Sequence, residues 1–476
     1  IRLRGHRTGL IFCNESVFRI LYHFPATLSI LSSEMHFGWT SPSLPILIRG
    51  GYKFRITAEE ASWLAVILLA GTIFGAVFTG CLADVLGRKK LILFTALPLF
   101  AAWLAIALAE SVEVLYAARF TAGLSSGISI SAVPMYLGEI AEPDVRGMLA
   151  SMCPVCVVFG VLLINILGNY LDIVHTAFVS SIFPVVLFAT FAWMPESPSF
   201  LLLKQRKEQA RETLVTLRGK DNGEAELKRL EEVFEPKKAT VLDLFLKSTN
   251  RKAAVVAYGL RTVQQFCGTT ALTFYCKTIF EQADDLISAN VGTIVYFSLQ
   301  LVVAFLASFI VDIFGRRPLL IISLLGCSST LFLLSFYIYV KDCTSYDIDL
   351  YTFVPVIALL LNVTFISIGI RNIPLLMMGE MFSTDIKPVA LCVGTIFYSI
   401  VATLSAKLFY LTNEMLGMYV PFLIFALLSL VSVVFVVFCV PETKGKTLED
   451  IQNELEGSKL FNNKERYSVS KEKGKA

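Results

Sequence analysis

Runs of about 20 apolar residues recur along this chain, each closed by charges or by Gly and Pro, and that recurrence leaves room for little but a bundle crossing a bilayer. The runs fall at 22–47, 61–82, 91–110, 114–138, 149–171 and 175–194, then at 253–280, 290–313, 318–340, 352–379, 388–411 and 417–440. Composition agrees. Of 476 residues 55% are hydrophobic and 17% charged, whereas soluble domains run about 45–50% and about 25%. A disordered chain is excluded, and a soluble enzyme is strongly disfavoured. The net charge of +3 is too balanced to call for nucleic acid as a partner. The expectation is an all-α polytopic membrane protein of twelve spans. Its parts are a segment 1–21, a first bundle 22–194, a polar loop 195–252, a second bundle 253–440 and a tail 441–476. The lipid bilayer is its surrounding partner.

Charge sets the expected orientation. Arg88, Lys89 and Lys90, the loop 195–252 and Arg316 and Arg317 are basic, and all lie on one side of the twelve runs. Glu59, Glu60, Glu110, Glu113, Asp172, Glu281, Asp284, Asp285, Asp342, Asp347 and Asp349 lie on the other. Basic loops stay inside, so both termini and the large loop are expected in the cytosol. Within that loop, Gln209–Leu217 and Glu224–Phe234 have amphipathic helical patterns, which predicts short surface helices rather than a free linker.

The chain also repeats itself. Asp84-Val85-Leu86-Gly87-Arg88-Lys89-Lys90 returns as Asp312-Ile313-Phe314-Gly315-Arg316-Arg317-Pro318. Gly138-Glu139, followed by Arg146, returns as Gly379-Glu380, followed by Lys387. Pro195-Glu196-Ser197-Pro198 returns as Pro441-Glu442-Thr443-Lys444. The three elements follow the second, fourth and sixth run of each half. Two parallel six-helix halves about a central path form a transporter plan. The cysteines lie nearly all in apolar runs and read as small hydrophobes, the C-x-x-C of Cys153-Pro154-Val155-Cys156 included. Four His give no metal-binding tract, and no metal or cofactor is called for.

These repeats, with Arg119-Phe120-Thr121-Ala122-Gly123, Pro134-Met135-Tyr136-Leu137-Gly138-Glu139, Gln264-Gln265-Phe266-Cys267-Gly268 and Pro441–Leu448, resemble the facilitative sugar transporter family of the major facilitator superfamily. The resemblance covers nearly the whole chain. Within the family, Phe37–Pro42 and Val440–Glu449 are most similar to insect facilitated trehalose transporters and their relatives. The resemblance implies the major facilitator fold, a small neutral sugar as substrate, and a plasma-membrane location.

It also implies roles for particular residues. Arg88, Glu139, Arg146 and Glu196 in the first half, and Arg316, Glu380, Lys387 and Glu442 in the second, correspond to breakable charge networks that gate the cytosolic side. The blander reading is topological anchoring by positive charge. Val85 and Ile313 stand where the family usually has Arg or Lys, which trims one charge per half.

In the seventh run, Gln264, Gly268, Ala271 and Tyr275 share one helical face if the helix is continuous, with Gln265, Thr269 and Leu272 beside it. Paired glutamines offer amide donors and acceptors to sugar hydroxyls, or hydrogen bonds to a neighbouring helix. Tyr275 and Phe274 resemble the family's aromatic pair near the external gate. Gln300 falls where the family carries a sugar-binding Asn.

Other positions depart. Thr270 replaces a binding Asn, Pro154 a Gln, Gly369–Leu375 lacks the family's tryptophan, and Tyr398-Ser399 replaces Asn-Trp. Asn165, Asn169 and Asn372 remain as amides. The candidate substrate contacts are therefore Gln264, Gln265, Thr270, Gln300, Asn372 and Thr40.

Coupling is read at Thr40, where proton-linked relatives carry an Asp after the Gly-aromatic pair. Arg119, the usual partner of that Asp, remains; with no carboxylate at position 40, the resemblance implies facilitated diffusion. Glu34 is a rival proton carrier, or a solvated cavity residue. Arg371 is an intramembrane arginine; it pairs with Glu34, alters substrate choice, or is merely packed. A proton–sugar symporter and a sugar sensor without flux are the rival functions. A membrane enzyme is a third class, with no catalytic constellation to support it.

Overall fold

The computed structural model describes residues 25–141, 143–218, 220–233, 240–283, 287–346, 349–383, 386–446 and 448–457. Among them regular structure is helical, with no strand. Helix α1 covers residues 25–38 and is followed by α2 (Thr40–Arg49). The chain turns at Trp39, and α2 then carries Pro45 inside it, so the break precedes the prolines rather than falling at them. Next come α3 (Ala58–Leu86), α4 (Arg88–Leu108), α5 (Val112–Ile140), α6 (Pro143–Tyr170), α7 (Ile173–Ser180) and α8 (Ile182–Phe191). Short helices follow: α9 (Pro198–Leu203), α10 (Lys207–Arg218), α11 (Lys220–Val233) and α12 (Val241–Leu246). The second set is α13 (Ser248–Phe266), α14 (Thr269–Phe274), α15 (Cys276–Ala283), α16 (Ala289–Phe314), α17 (Arg316–Cys343), α18 (Phe353–Ile368), α19 (Ile373–Met381), α20 (Lys387–Leu416), α21 (Tyr419–Cys439) and α22 (Leu448–Gly457).

Taken as spans, these are α1–α2, α3, α4, α5, α6 and α7–α8, then α13–α15, α16, α17, α18–α19, α20 and α21. Nine segments among the described residues are long and apolar enough to cross a bilayer by themselves. The remaining three are broken or small-residue-rich: α1–α2, the Gly- and Ser-dotted α5, and α13–α15. Large apolar side chains such as Phe74, Leu97, Phe188, Phe309, Leu404 and Phe438 are exposed along the long helices. A soluble protein would cover such patches; a lipid-facing one presents them to hydrocarbon.

Local chemistry explains where helices start. Thr57 caps α3 by accepting from the Glu60 amide at 3.2 Å, while the Glu60 carboxylate accepts from the Thr57 amide at 2.7 Å. Ser197 caps α9, with Pro198 at its first turn. Gly50, at φ +78°, ends α2 in the left-handed region that favours glycine.

The chain forms two compact units. One comprises the described residues of Ile1–Lys237, Leu272–Gln282 and Ile287–Leu301. Its tightest seam joins α3 to α5. Gly71 and Gly75 face Gly123 and Gly127 so closely that a Cβ at any of the four would run into the opposing backbone. This small-residue spacing lets two backbones approach where no hydrophobic driving force exists between helices. A satellite core of Leu201, Leu202 and Ala210, with Leu227 and Leu230 against it, joins α9, α10 and α11. The Arg218–Glu226 pair at 3.0 Å lies beside it.

The other unit comprises the described residues of Lys238–Ala271, Ala283–Leu286 and Val302–Ala476. In it α17 packs on α18 and α21, and α13 on α20. Gly268, at φ +83°, lies at the break between α13 and α14, and a Cβ there would approach the Phe425 ring at 2.8 Å.

Candidate functional site

The repeated motifs build nearly identical charge clusters, one inside each unit. In the first, α3 ends at Gly87 and α4 begins at Arg88. The Arg88 guanidinium donates to Glu139 at the end of α5 (3.1 Å), to Asp84 (3.1 Å) and to the Ala83 carbonyl (3.1 Å). Ser197 donates its hydroxyl to the other Glu139 oxygen. Glu196 accepts the Lys89 amide at 3.0 Å and the Ser197 amide at 2.9 Å.

In the second unit, Arg316 donates to Glu380 (2.8 Å), Asp312 (2.9 Å) and the Val311 carbonyl (3.2 Å). Thr443 donates to Glu380 at 2.5 Å, and Glu442 accepts the amides of Arg316 and Arg317 at 3.0 and 2.9 Å. Glu196 and Glu442 therefore sit on the N-termini of α4 and α17, where unsatisfied amides and the helix dipole favour an anion. Gly87 and Gly315, at φ +93° and +89°, leave the room these carboxylates fill.

At Glu442 burial works against ionisation, but amide donors from Arg316, Lys444, Arg317 and Thr443 outweigh it and hold the carboxyl below its ordinary range. Lys387 donates to the Gly379 carbonyl at 2.9 Å, just N-terminal to Glu380. The Arg146 side chain lies outside the described residues.

The candidate substrate residues divide between the units. In the second, the α13–α14 break interrupts the helical face on which Gln264, Gly268, Ala271 and Tyr275 would have aligned. Glycine at positive φ re-aims the segment after it. Gln264 is fully engaged: its Nε2 donates to the Arg371 carbonyl at 2.8 Å, and its Oε1 accepts from Arg261 at 2.9 Å.

Gln265 is only half engaged. Its Oε1 accepts from Thr270 at 2.6 Å, while its Nε2, in a side chain 1% exposed, has no partner among the described residues. Asn372 stands at the N-terminus of α19, part-exposed, next to Arg371. Arg261 is a functional candidate that sequence reading passed over. The rule that singled out Arg371, an arginine within a membrane run, applies equally to it.

In the first unit, Gln300 is 1% exposed and its Oε1 has no partner among the described residues. Thr40 turns its hydroxyl back to the Phe37 carbonyl at 3.3 Å. Asn165 bonds back to Val161, and Asn169 donates to Thr293 at 2.9 Å and accepts from Lys277 at 3.0 Å. Phe274 packs against Phe37 with the rings tilted and their centroids 4.6 Å apart, and Tyr275, next in the chain, is buried.

Arg119 is 0% exposed. It donates to the carbonyls of His36 and Leu64 and lies over the Trp39 ring, 5.5 Å from its centroid. Among the described residues no carboxylate pairs with it. Glu34, on α1, is buried in the same unit.

The described residues hold no group of three or more His, Cys, Asp or Glu suited to a metal. What these arrangements offer is hydrogen bonding and breakable ion pairs.

Comparison with known proteins agrees in kind. Residues 32–455 match the model of the "Sugar (and other) transporter" family. A facilitated trehalose transporter of Bombyx mori is 31% identical over 450 residues, covering 94% of this chain and 88% of that protein. One from Drosophila grimshawi is 33% identical over 446 residues, covering 92% of this chain but 48% of its own length. The chain thus spans about half the length of the Drosophila relatives it matches. Among solved structures, a major facilitator proton:xylose symporter, XylE, bound to 6-bromo-6-deoxy-D-glucose superposes with a TM-score of 0.72 at 21% identity. It covers 91% of this chain and 98% of its own. An inward-open form of the E. coli xylose transporter gives 0.75 at 20%, covering 90% and 98%. These structural likenesses establish the fold.

Proposed function

Because this chain belongs to the sugar transporter family of the major facilitator superfamily, and is an integral multi-pass membrane protein, we propose that it carries a neutral sugar by facilitated diffusion. Trehalose is the leading substrate, with a hexose behind it, and the plasma membrane is the site of action with both termini in the cytosol. The observation that carries the uniport reading is at Thr40 and Arg119. The position after Gly38-Trp39 holds a hydroxyl that bonds back to the Phe37 carbonyl, and Arg119 is engaged by backbone carbonyls and a Trp ring, its Nη2 without a partner among the described residues, rather than by a carboxylate. A proton-coupled cycle needs a group there that titrates. The trehalose reading is supported by the silkworm relative, which the chain matches over most of both lengths.

In this reading Gln264, Gln265, Thr270, Gln300, Asn372 and Thr40 are the substrate contacts, with Gln265 and Gln300 the strongest because each has an unpaired amide atom to offer. Arg88, Glu139, Arg146, Glu196, Arg316, Glu380, Lys387 and Glu442 gate the cytosolic end, and Tyr275 the opposite end. Radiolabelled trehalose and glucose uptake in oocytes, with surface expression confirmed, tests it. Saturable flux that equilibrates and ignores external pH is expected; uphill, acid-stimulated flux would assign coupling to Glu34 instead. Binding of either sugar without flux would make the protein a sensor.

Glu34 and Arg371 are proposed as coupling or cavity charges, each judged on its own: Glu34→Ala and Arg371→Ala are each expected to lower uptake, and a variant with unchanged uptake would make that residue a packing element.

A further inference from the structure

Around Arg261 the second unit holds a patch whose unmet hydrogen bonds are all donors. Arg261 and Gln265 are four residues apart on α13, hence one turn apart on one face. Arg261 is 8% exposed, and its Nε has no partner among the described residues. Its guanidinium donates to the Gln264 amide oxygen and lies over the Tyr398 ring, 5.3 Å from its centroid. Both partners are neutral, and no carboxylate among the described residues balances the charge. Gln265 adds the second unmet donor, its Nε2, because its oxygen is taken by Thr270.

A buried cation with only neutral partners is costly, and an unpaired buried donor adds to that cost. A hydroxyl both donates and accepts, so a neutral sugar meets such a patch only in part. An anion accepts from both donors and neutralises the charge, and bonds to an ionised acceptor are roughly twice as strong as neutral ones.

We propose that Arg261, with the Gln265 amide, admits a sugar bearing a single negative group, a carboxylate such as that of a hexuronic acid. The proposal rests on the reading of the chain as a sugar transporter and extends its substrate class beyond neutral sugars. Arg261 contributes the charge, Gln265 a second donor to the carboxylate, and Gln264 holds the guanidinium in place.

The test uses purified full-length protein in proteoliposomes, with glucuronate and its uncharged methyl ester as matched probes and trehalose as the neutral reference. In the unaltered protein, glucuronate is expected to compete for trehalose uptake about tenfold more strongly than the ester, a preference of the size one charge-assisted bond supplies. Arg261→Gln is expected to erase that acid-over-ester preference, and Arg261→Lys to keep part of it. Arg211→Gln, on a helix of the polar loop, controls for loss of a positive charge in general. Equal competition by acid and ester in the unaltered protein would overturn the proposal even if no variant folds. So would an acid preference that survives Arg261→Gln. Absence of trehalose, glucose and glucuronate flux altogether would instead remove the transport reading on which the proposal stands.

Discussion

The two charge clusters at the D-x-x-G-R ends are near copies of each other, whereas the polar residues in mid-span are not. Arg88–Glu139–Ser197 and Arg316–Glu380–Thr443 have the same donors, acceptors and helix junctions, and Glu196 and Glu442 repeat the same anion site. In mid-span the first unit has Arg119 held by backbone carbonyls. The second has Arg261 and the Gln264–Arg371 contact. The clusters are largely satisfied within each unit, although the buried Arg316 Nε has no partner among the described residues. The mid-span patches keep atoms on Gln265, Gln300, Arg119 and Arg261 that have no partner among the described residues. Unmet polar groups have a price in stability that a purely structural site would avoid. Their concentration in mid-span, against the single Arg316 Nε in the end clusters among the described residues, points to a ligand that visits.

The sharpest way to break this comparison is to remove an arginine from each kind of place. Arg88→Ala or Arg316→Ala leaves Glu139 or Glu380 with a carboxylate facing other oxygens and no guanidinium. Truncating one side of a largely buried ion pair costs about 3 kcal/mol. A clear drop in thermal stability in detergent is expected from each, similar in size for the two halves, together with loss of uptake. A large asymmetry between the two would show that the matching geometry hides unequal roles.

A smaller effect tests the junctions rather than the charges. Gly87→Ala and Gly315→Ala place a Cβ at φ near +90°, against the carboxylate of Glu196 or Glu442. Strained backbone of this kind costs about 1–3 kcal/mol. Melting measurements on both variants should show the loss, and pairing Gly87→Ala with Glu196→Ala should recover part of it by removing the clash.

Much of the end structure was legible in the chain because each motif is local and stands twice. Asp84 and Arg88, four residues apart, announce their own bridge, and Glu196 and Glu442 follow the last run of each half. Mid-span, sequence shows residue types but not partners. Nothing in Gln264-Gln265 reveals that the first amide is clamped between Arg261 and the Arg371 carbonyl while the second keeps a free N–H. The Thr40 hydroxyl could not be seen turning back on Phe37. The break at Gly268 was also hidden, because the apolar run 253–280 continues smoothly through it; only the positive φ shows that one helical face does not extend from Gln264 to Tyr275.

Gln265→Leu sharpens the contrast between the two regions. It removes an unpaired donor together with the bond accepted from Thr270 and a longer one from Thr269, so stability should change by only about 1 kcal/mol. Transport should suffer far more, with the KM for trehalose raised and surface expression unchanged. A variant as unstable as Arg88→Ala would mean that the amide is a packing element after all.

The smallest effect is at Glu442, and its sign follows from the amides around it. The folded carboxyl is held below its ordinary range despite burial, by the backbone donors of Arg316, Lys444, Arg317 and Thr443. A group with a depressed folded pKa contributes stability above its unfolded value, about 4.3, and loses that contribution as pH falls through the folded value. Between pH 5 and 8 the carboxylate is ionised in both states and its contribution is flat. Neither stability nor uptake should vary with pH there on its account. Below about pH 4 the helix-capping contribution should fade, and Glu442→Gln should flatten that acid limb while lowering stability near neutrality. Glu442 then acts as a fixed anion at the start of α17 throughout the working range, so any pH dependence of transport found between 5 and 8 must arise elsewhere, with Glu34 the first residue to examine.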